Sequence, residues 1–287
     1  MSVEPRSALG LAVKRGLRRC RMATAFFRVL PDFIIIGANR AGTTSLYNYL
    51  VTHPHVAPAL RKEVHFFDMN FDKGLRWYRA HFPTTFYRSW MEARGRRPLL
   101  SGEASPYYLF HPHVPHRIFT VLPRVKLVAL LRDPVDRAHS HYHHQVSKGR
   151  EPLSLEEALA KEAERLEGET ARLVADERYY SYNHRRYSYL ARGIYVDQLK
   201  AWLDLFAREQ ILIIKSEDLS TDPDGIMRQV CDFLSVPVWS MPAYPKYHRT
   251  DYPAMEVRVR RQLVEYFRPH NRRLYEFLGR DFGWESH

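Results

Sequence analysis

Between Phe33 and Thr44 the chain passes from four large apolar residues, Phe33-Ile34-Ile35-Ile36, through Gly37-Ala38-Asn39-Arg40-Ala41-Gly42 to Thr43-Thr44. A short, uniformly apolar run ending in glycine reads as a strand buried on both faces, the kind found in parallel sheets covered by helices. The glycine-bearing turn then delivers the chain into a helix, whose first amide groups have no acceptor within the helix. Those amides and the positive end of the helix dipole suit the turn to an anion. The feature predicts an α/β protein with a P-loop-like phosphate-binding loop at residues 37–44.

The alternation continues. Val125-Lys126-Leu127-Val128-Ala129-Leu130-Leu131 and Ile211-Leu212-Ile213-Ile214 read as further buried strands, and Leu99 to Ser101 as a fourth. Helices are expected over residues 43–51, 135–147, 154–166, 196–206 and 256–278, with Ser154 and Glu157 at capping-box spacing. This order predicts a single domain with a central, mostly parallel sheet and helices on both faces. No repeat or low-complexity linker interrupts it, so the expected organisation is a basic N-terminal extension over 1–31 and one domain over 32–287.

Composition narrows the ligand by sign. With 287 residues, 45% of them hydrophobic, the chain can fill a sizeable core. Lys and Arg number 44 against 32 Asp and Glu, a formal charge of +12, which favours nucleotides, acidic glycans, anionic lipid or nucleic acid. Cys20 and Cys231 are far apart and read as reduced intracellular thiols rather than a disulfide framework or zinc site. The apolar stretch from Phe26 to Ile36 is too short to span a bilayer, and no signal peptide is evident, so the expected location is cytoplasmic. The run Lys14 to Arg21, followed by Phe26 and Phe27, suits peripheral contact with an anionic membrane through residues 1–31, and equally a solvated terminus.

The loop differs from that of nucleoside-triphosphate enzymes. Gly37 and Gly42 have the Walker spacing, but Thr43 stands where that pattern has the lysine that reaches the β- and γ-phosphates. The cation, Arg40, lies inside the loop instead. A donor with one 5′-phosphate carrying a transferable group needs no such lysine. The segment resembles the 5′-phosphosulfate loop of sulfotransferases that use 3′-phosphoadenylyl sulfate (PAPS), which place a cation two residues before a Gly-Thr-Thr-like triplet. That family has Lys where this chain has Arg40. Arginine stabilises charge on the bridging oxygen but does not donate a proton. The resemblance implies donor contacts by Arg40, Ala41, Gly42, Thr43, Thr44 and Ser45.

A donor with a 3′-phosphate needs a second anion site. Arg132 is expected at the carboxyl end of a buried strand, Pro134 in the first turn of a helix, and Ser140 about two turns into it. Read alone, Arg132-Asp133-Pro134 is also an ordinary helix start. Placed after the first loop, it resembles the family's 3′-phosphate motif, an Arg followed eight residues later by a Ser, at Arg132 and Ser140.

The acceptor side is read from Arg61-Lys62-Glu63-Val64-His65-Phe66-Phe67-Asp68. On a strand Glu63 and His65 share one face at period two, two proton acceptors side by side. A salt-bridged glutamate and a packed histidine fit the same residues. The segment resembles the Lys-Glu-x-x-Phe-Phe region of heparan sulfate-type carbohydrate sulfotransferases, and the resemblance implies that Glu63 is the general base and His65 its helper. Glu103 and Ala104 fall in a further family segment, where heparan-type members often carry Lys after the glutamate. Arg192-Gly193-Ile194-Tyr195 resembles another such stretch, and Arg249 falls in a basic loop near the 3′-phosphate.

The resemblance, closest to carbohydrate and related bacterial sulfotransferases, spans about residues 32–284. It implies sulfuryl transfer from PAPS to a hydroxyl of a carbohydrate or glycolipid, without a metal. A phosphotransferase with a degenerate Walker loop and a basic nucleic-acid- or membrane-binding protein are the competing expectations. His139, His141, His143 and His144 crowd one expected helix without an obvious third ligand for a metal pair. Arg258-Val259-Arg260-Arg261 reads as a solvated helix face rather than a nucleic-acid surface.

Overall fold

The computed structural model describes residues 16–17, 19–245, 247 and 252–285. Five strands, β1 (Phe33–Gly37), β2 (Val56–Pro58), β3 (Leu100–Ala104), β4 (Lys126–Leu131) and β5 (Ile211–Lys215), form one sheet in the order β2-β3-β1-β4-β5. Every neighbouring pair is parallel, with Ile35 registered between Ala104 of β3 and Val128 of β4. Phe33 and Ile35 point to one face and Ile34 and Ile36 to the other. All four are fully buried, so helices cover both faces, as the apolar run predicts.

The helices that shape the site are α1 (Thr43–Thr52), α2 (Pro134–Ser147), α3 (Tyr195–Leu203), α4 (Ser216–Thr221), α5 (Pro223–Leu234) and α6 (Val257–Leu278). The core joins β1 and β4 to Leu46 and Leu50 of α1, Val196, Leu199 and Trp202 of α3, and Met227, Val230 and Leu234 of α5. A parallel sheet brings its carboxyl ends to one edge. The connections leaving β1, β3, β4 and β5 therefore meet there.

Several elements depart from expectation. β2 is three residues long and carries no apolar periodicity, and β3 runs over 100–104 rather than 99–101. The helix expected over 154–166 divides at Lys161 into Leu155–Ala160 and Glu162–Leu166, although Ser154 and Glu157 form the expected capping box. The unexpected α5 begins with the Asp222 side chain accepting from Gly225 N and with Pro223 in its first turn.

The stretch just ahead of β1 packs on the domain. Ala25 and Val29 are buried, Val29 N donates to Pro83 O at 3.1 Å, and Arg28 pairs with Thr84 in an antiparallel bridge. Among the described residues no helix is long and apolar enough to cross a membrane.

Candidate active site

The loop after β1 is shaped by its glycines. A Cβ on Gly37 would lie 2.5 Å from Leu109 Cβ, and Gly42, at φ 85°, caps α1 in the left-handed region that glycine adopts without strain. Gly42 has no side chain to satisfy the first-turn amides of Thr43, Thr44 and Ser45, which have no acceptor within the helix. Gly42 and these three residues line a cleft of about 820 Å³. Ala41 does not. It is fully buried, and its amide donates to Ala38 O at 3.2 Å.

Arg40 also has a left-handed backbone, at φ 70°. Its Nε donates to Ser140 Oγ at 3.0 Å, across 100 residues of sequence. Arg132, just past the end of β4, donates from Nη1 to Arg40 O at 3.2 Å, and its own carbonyl accepts from Tyr195 Oη at 2.8 Å. The Asp133 side chain caps α2 by accepting from Val135 N and Asp136 N, and so fixes the helix that carries Ser140. The structure thus joins the two anion motifs that the sequence separates. Burial lowers the Arg40 pKa, as Arg132 does more weakly.

The expected strand at Glu63 and His65 is absent. The chain there is irregular, and His65, at φ 54°, is the left-handed cap of a single helical turn, Phe66–Met69. What overrides the strand pattern is a set of side chains on β3 and the turn that follows it. Val64 N donates to Glu103 Oε2 at 3.2 Å, His65 N to Ser105 Oγ at 3.2 Å, and Phe66 N to Tyr108 Oη at 2.8 Å. Glu103, fully buried, also accepts from Tyr78 Oη at 2.8 Å, Tyr108 Oη at 3.1 Å and Ser105 Oγ at 2.7 Å. Burial pushes its pKa up to about 6 against the pull of those donors.

Held this way, the His65 ring lies between two carboxylates. Nδ1 is 2.6 Å from Asp68 Oδ2, and Nε2 is 3.1 Å from Glu63 Oε2. Burial alone would lower the His65 pKa, but Asp68 and Glu63 outweigh it and raise it to about 9. Burial likewise pushes the Glu63 carboxyl up, yet His65 and Lys62 bring it down to about 2. Near neutral pH Glu63 is therefore a carboxylate and His65 an imidazolium. Glu63 keeps 43% of its side chain exposed, whereas that of Asp68 is fully buried. Asp68 is the functional candidate that sequence reasoning missed.

Glu63, His65, Arg40, Thr43, Thr44, Ser45, Arg132 and Ser140 all line the one cleft. Arg192, 4% exposed, lines it too, with its guanidinium 4.7 Å from the Tyr107 ring centroid and Nη2 donating to the carbonyls of His184 and Arg185. Lys62, Arg185 and Arg186 face the same space. Ala104 is buried on β3 and contributes no group to it. Arg249 lies outside the described residues. On α2, His139 and His143 approach at 2.9 Å between ring nitrogens, and the Tyr252 ring stacks on His143.

Comparison with known proteins agrees with this geometry. The model of the sulfotransferase domain family matches residues 30–255. The membrane-associated sulfotransferase kil1 of Dictyostelium discoideum is 29% identical over 90% of this chain and 67% of its own length. Mouse heparan sulfate glucosamine 3-O-sulfotransferase 3B1 is 31% identical over 89% of this chain and 65% of its own. The chain thus spans about two thirds of the length of these curated relatives. A crystal structure of a sulfotransferase from Alicyclobacillus acidocaldarius, 33% identical, superposes with a TM-score of 0.69 over 90% of this chain and 100% of that one. With the family model covering most of its length and a solved member aligned end to end, the chain belongs to the sulfotransferase family.

Proposed function

We propose that this chain transfers the sulfuryl group of PAPS to a hydroxyl of a carbohydrate acceptor, free or carried on a lipid. The observation that carries the reading is the Arg40–Ser140 contact, which makes one continuous anion surface of the loop and the second motif in the cleft that Glu63 also lines. Two separated phosphates and a base are what this donor requires, and the open first-turn amides fit one of those phosphates.

In the proposed step the acceptor oxygen attacks sulfur as the bond from sulfur to the bridging phosphate oxygen breaks. Glu63 takes the hydroxyl proton. Arg40 and the amides of Thr43, Thr44 and Ser45 stabilise the charge that develops on the departing 5′-phosphate. Arg132 and Ser140 hold the 3′-phosphate. His65, positioned by Asp68, keeps Glu63 ionised and oriented.

Lys62, Arg185 and Arg186 on the cleft wall favour an acceptor that is itself acidic, in keeping with the heparan sulfate named for the mouse relative. Thermal stabilisation by adenosine 3′,5′-bisphosphate, compared with ATP and magnesium, tests the donor. Stabilisation by the bisphosphate alone is expected. A shift produced by ATP–magnesium and not by the bisphosphate would return the chain to a degenerate phosphotransferase.

A further inference from the structure

Four large aromatic side chains left outside the core, Phe26, Phe27, Phe86 and Trp90, lie on two neighbouring elements and none of them lines the cleft. The helix Thr85–Ala93, capped by the Thr84 hydroxyl, buries Met91 against Ala57 and Leu99. That leaves Phe86 and Trp90, four residues apart and so on one face, 78% and 44% exposed. The Arg94 guanidinium sits 3.7 Å from the Trp90 ring centroid. The turn Ala25–Phe27 adds Phe26 and Phe27, 73% and 70% exposed. It is fastened alongside, with Thr85 Oγ1 donating to Phe27 O at 3.2 Å. Arg76 lies over the Phe26 ring.

Contiguous exposed rings of this kind mark an interaction surface. Their setting specifies the partner by charge. Over residues 16–31 and 84–98, Arg19, Arg94, Arg96 and Arg97 are exposed, whereas Arg28 is buried, Arg21 donates to the Ala80 and Phe82 carbonyls and Arg88 pairs with Asp32; the one acid within these two stretches is Glu92. Glu92 accepts from Leu99 N. Rings interleaved with arginine suit the headgroup region of a bilayer, where aromatics settle at the interface and guanidinium groups meet lipid phosphate.

We propose that Phe26, Phe27, Phe86 and Trp90, with Arg94, form a docking surface for a bilayer containing anionic lipid. The patch lies at the entry end of the sheet: Arg88 of its helix pairs with Asp32, the residue before β1. The phosphate loop leaves the other end of that strand, roughly 16 Å away at the rise expected for five residues. Docking there turns the cleft away from the lipid, so the acceptor is delivered from the aqueous side. The surface stands on its own residues and does not depend on which donor or acceptor the cleft takes.

The test is co-sedimentation of the full chain with vesicles of phosphatidylcholine alone and of phosphatidylcholine with about one part in four phosphatidylserine. Binding is expected on the mixed vesicles and much less on the neutral ones. Phe86→Ser with Trp90→Ser should lower the partition coefficient about tenfold or more at an unchanged melting temperature, since both side chains are already exposed. Arg94→Glu should lower it about tenfold on the mixed vesicles, and serves alone if the double variant does not fold. Failure to bind the mixed vesicles, or binding undiminished in these variants, would overturn the proposal. So would a concentration-dependent dimer that the double variant abolishes while no vesicle binding is seen, because the patch would then be a contact between two copies.

Discussion

The proposed nucleotide side of the cleft and its proposed acceptor side are held by different means. Around Gly42 the backbone does the holding: a left-handed glycine opens α1 and leaves three amides for an anion. Around His65 the amides are consumed by side chains from the end of β3 and the turn after it, and the candidate functional groups are the side chains thereby set in place. A backbone site survives most side-chain changes that leave its turn intact. A buried network does not, because each deletion leaves a partner unsatisfied.

The two sides of the cleft should separate most sharply at Glu63. Glu63→Ala is expected to lower kcat by roughly 10²–10⁴ in a sulfuryl-transfer assay while the affinity for adenosine 3′,5′-bisphosphate stays near that of the parent. Near-parental turnover would remove Glu63 from the reaction. Arg40 should behave in the opposite sense. Arg40→Ala should cost about 10²–10³ in kcat and weaken the bisphosphate as well, whereas Arg40→Lys keeps most of the rate because the charge near the bridging oxygen is retained. Equal losses in both variants would mean that the guanidinium geometry toward Ser140, rather than its charge, is what matters.

Tyr108→Phe probes the network without touching the cleft surface. It leaves Glu103 and the Phe66 amide each one partner short, and urea unfolding should report a loss of about 1–3 kcal/mol. Turnover should fall with bisphosphate affinity unchanged. A variant as stable and active as the parent would show that the acceptor segment does not hang from β3.

The smallest effect is the dependence on pH. The His65 pKa is raised from 6.5 to about 9, so its stabilising contribution is complete below pH 6.5 and is lost as pH rises through about 9. The Glu63 pKa is lowered from 4.5 to about 2, so its contribution is present above pH 4.5 and lost as pH falls through about 2. The melting temperature should therefore decline between pH 6.5 and 9, and His65→Ala should flatten that decline. Over the same interval turnover should rise, because Glu63 becomes a stronger base once its imidazolium partner is gone. A rise that persists in His65→Ala would assign it to another group.

The strands and the loop after β1 were legible in the sequence and the segment around His65 only partly so, for the same physical reason. β1, β4 and β5 are continuous apolar runs, and the turn after β1 declares itself through Gly37, Gly42 and the threonines that open α1. Those are local facts. The Arg40–Ser140 contact, the Glu103 anchor of Val64, the Tyr78 bond to Glu103 and the Tyr108 bond to Phe66 N join residues 25 to 100 positions apart, and no local pattern announces them. Period two at Glu63 and His65 looked like a strand because a strand and an irregular segment can present the same two side chains. The amides, bonded to Glu103 and Ser105, decided between them. Asp68 had a local signal, three residues beyond His65 on one helical turn, but only the buried setting makes it the partner of the ring.

The position of β1 has a consequence for how such a protein can change. Its neighbour β3, with β2 beyond, anchors the segment that would meet the acceptor, and its other neighbour β4, with β5 beyond, leads into Arg132 and α2. The sheet divides the molecule into a half that would choose the acceptor and a half that would keep the donor, with the phosphate loop on the seam. Residues 61–68 and 103–108 can therefore be exchanged together between relatives, segment and buried network as one unit, against an unchanged proposed nucleotide side.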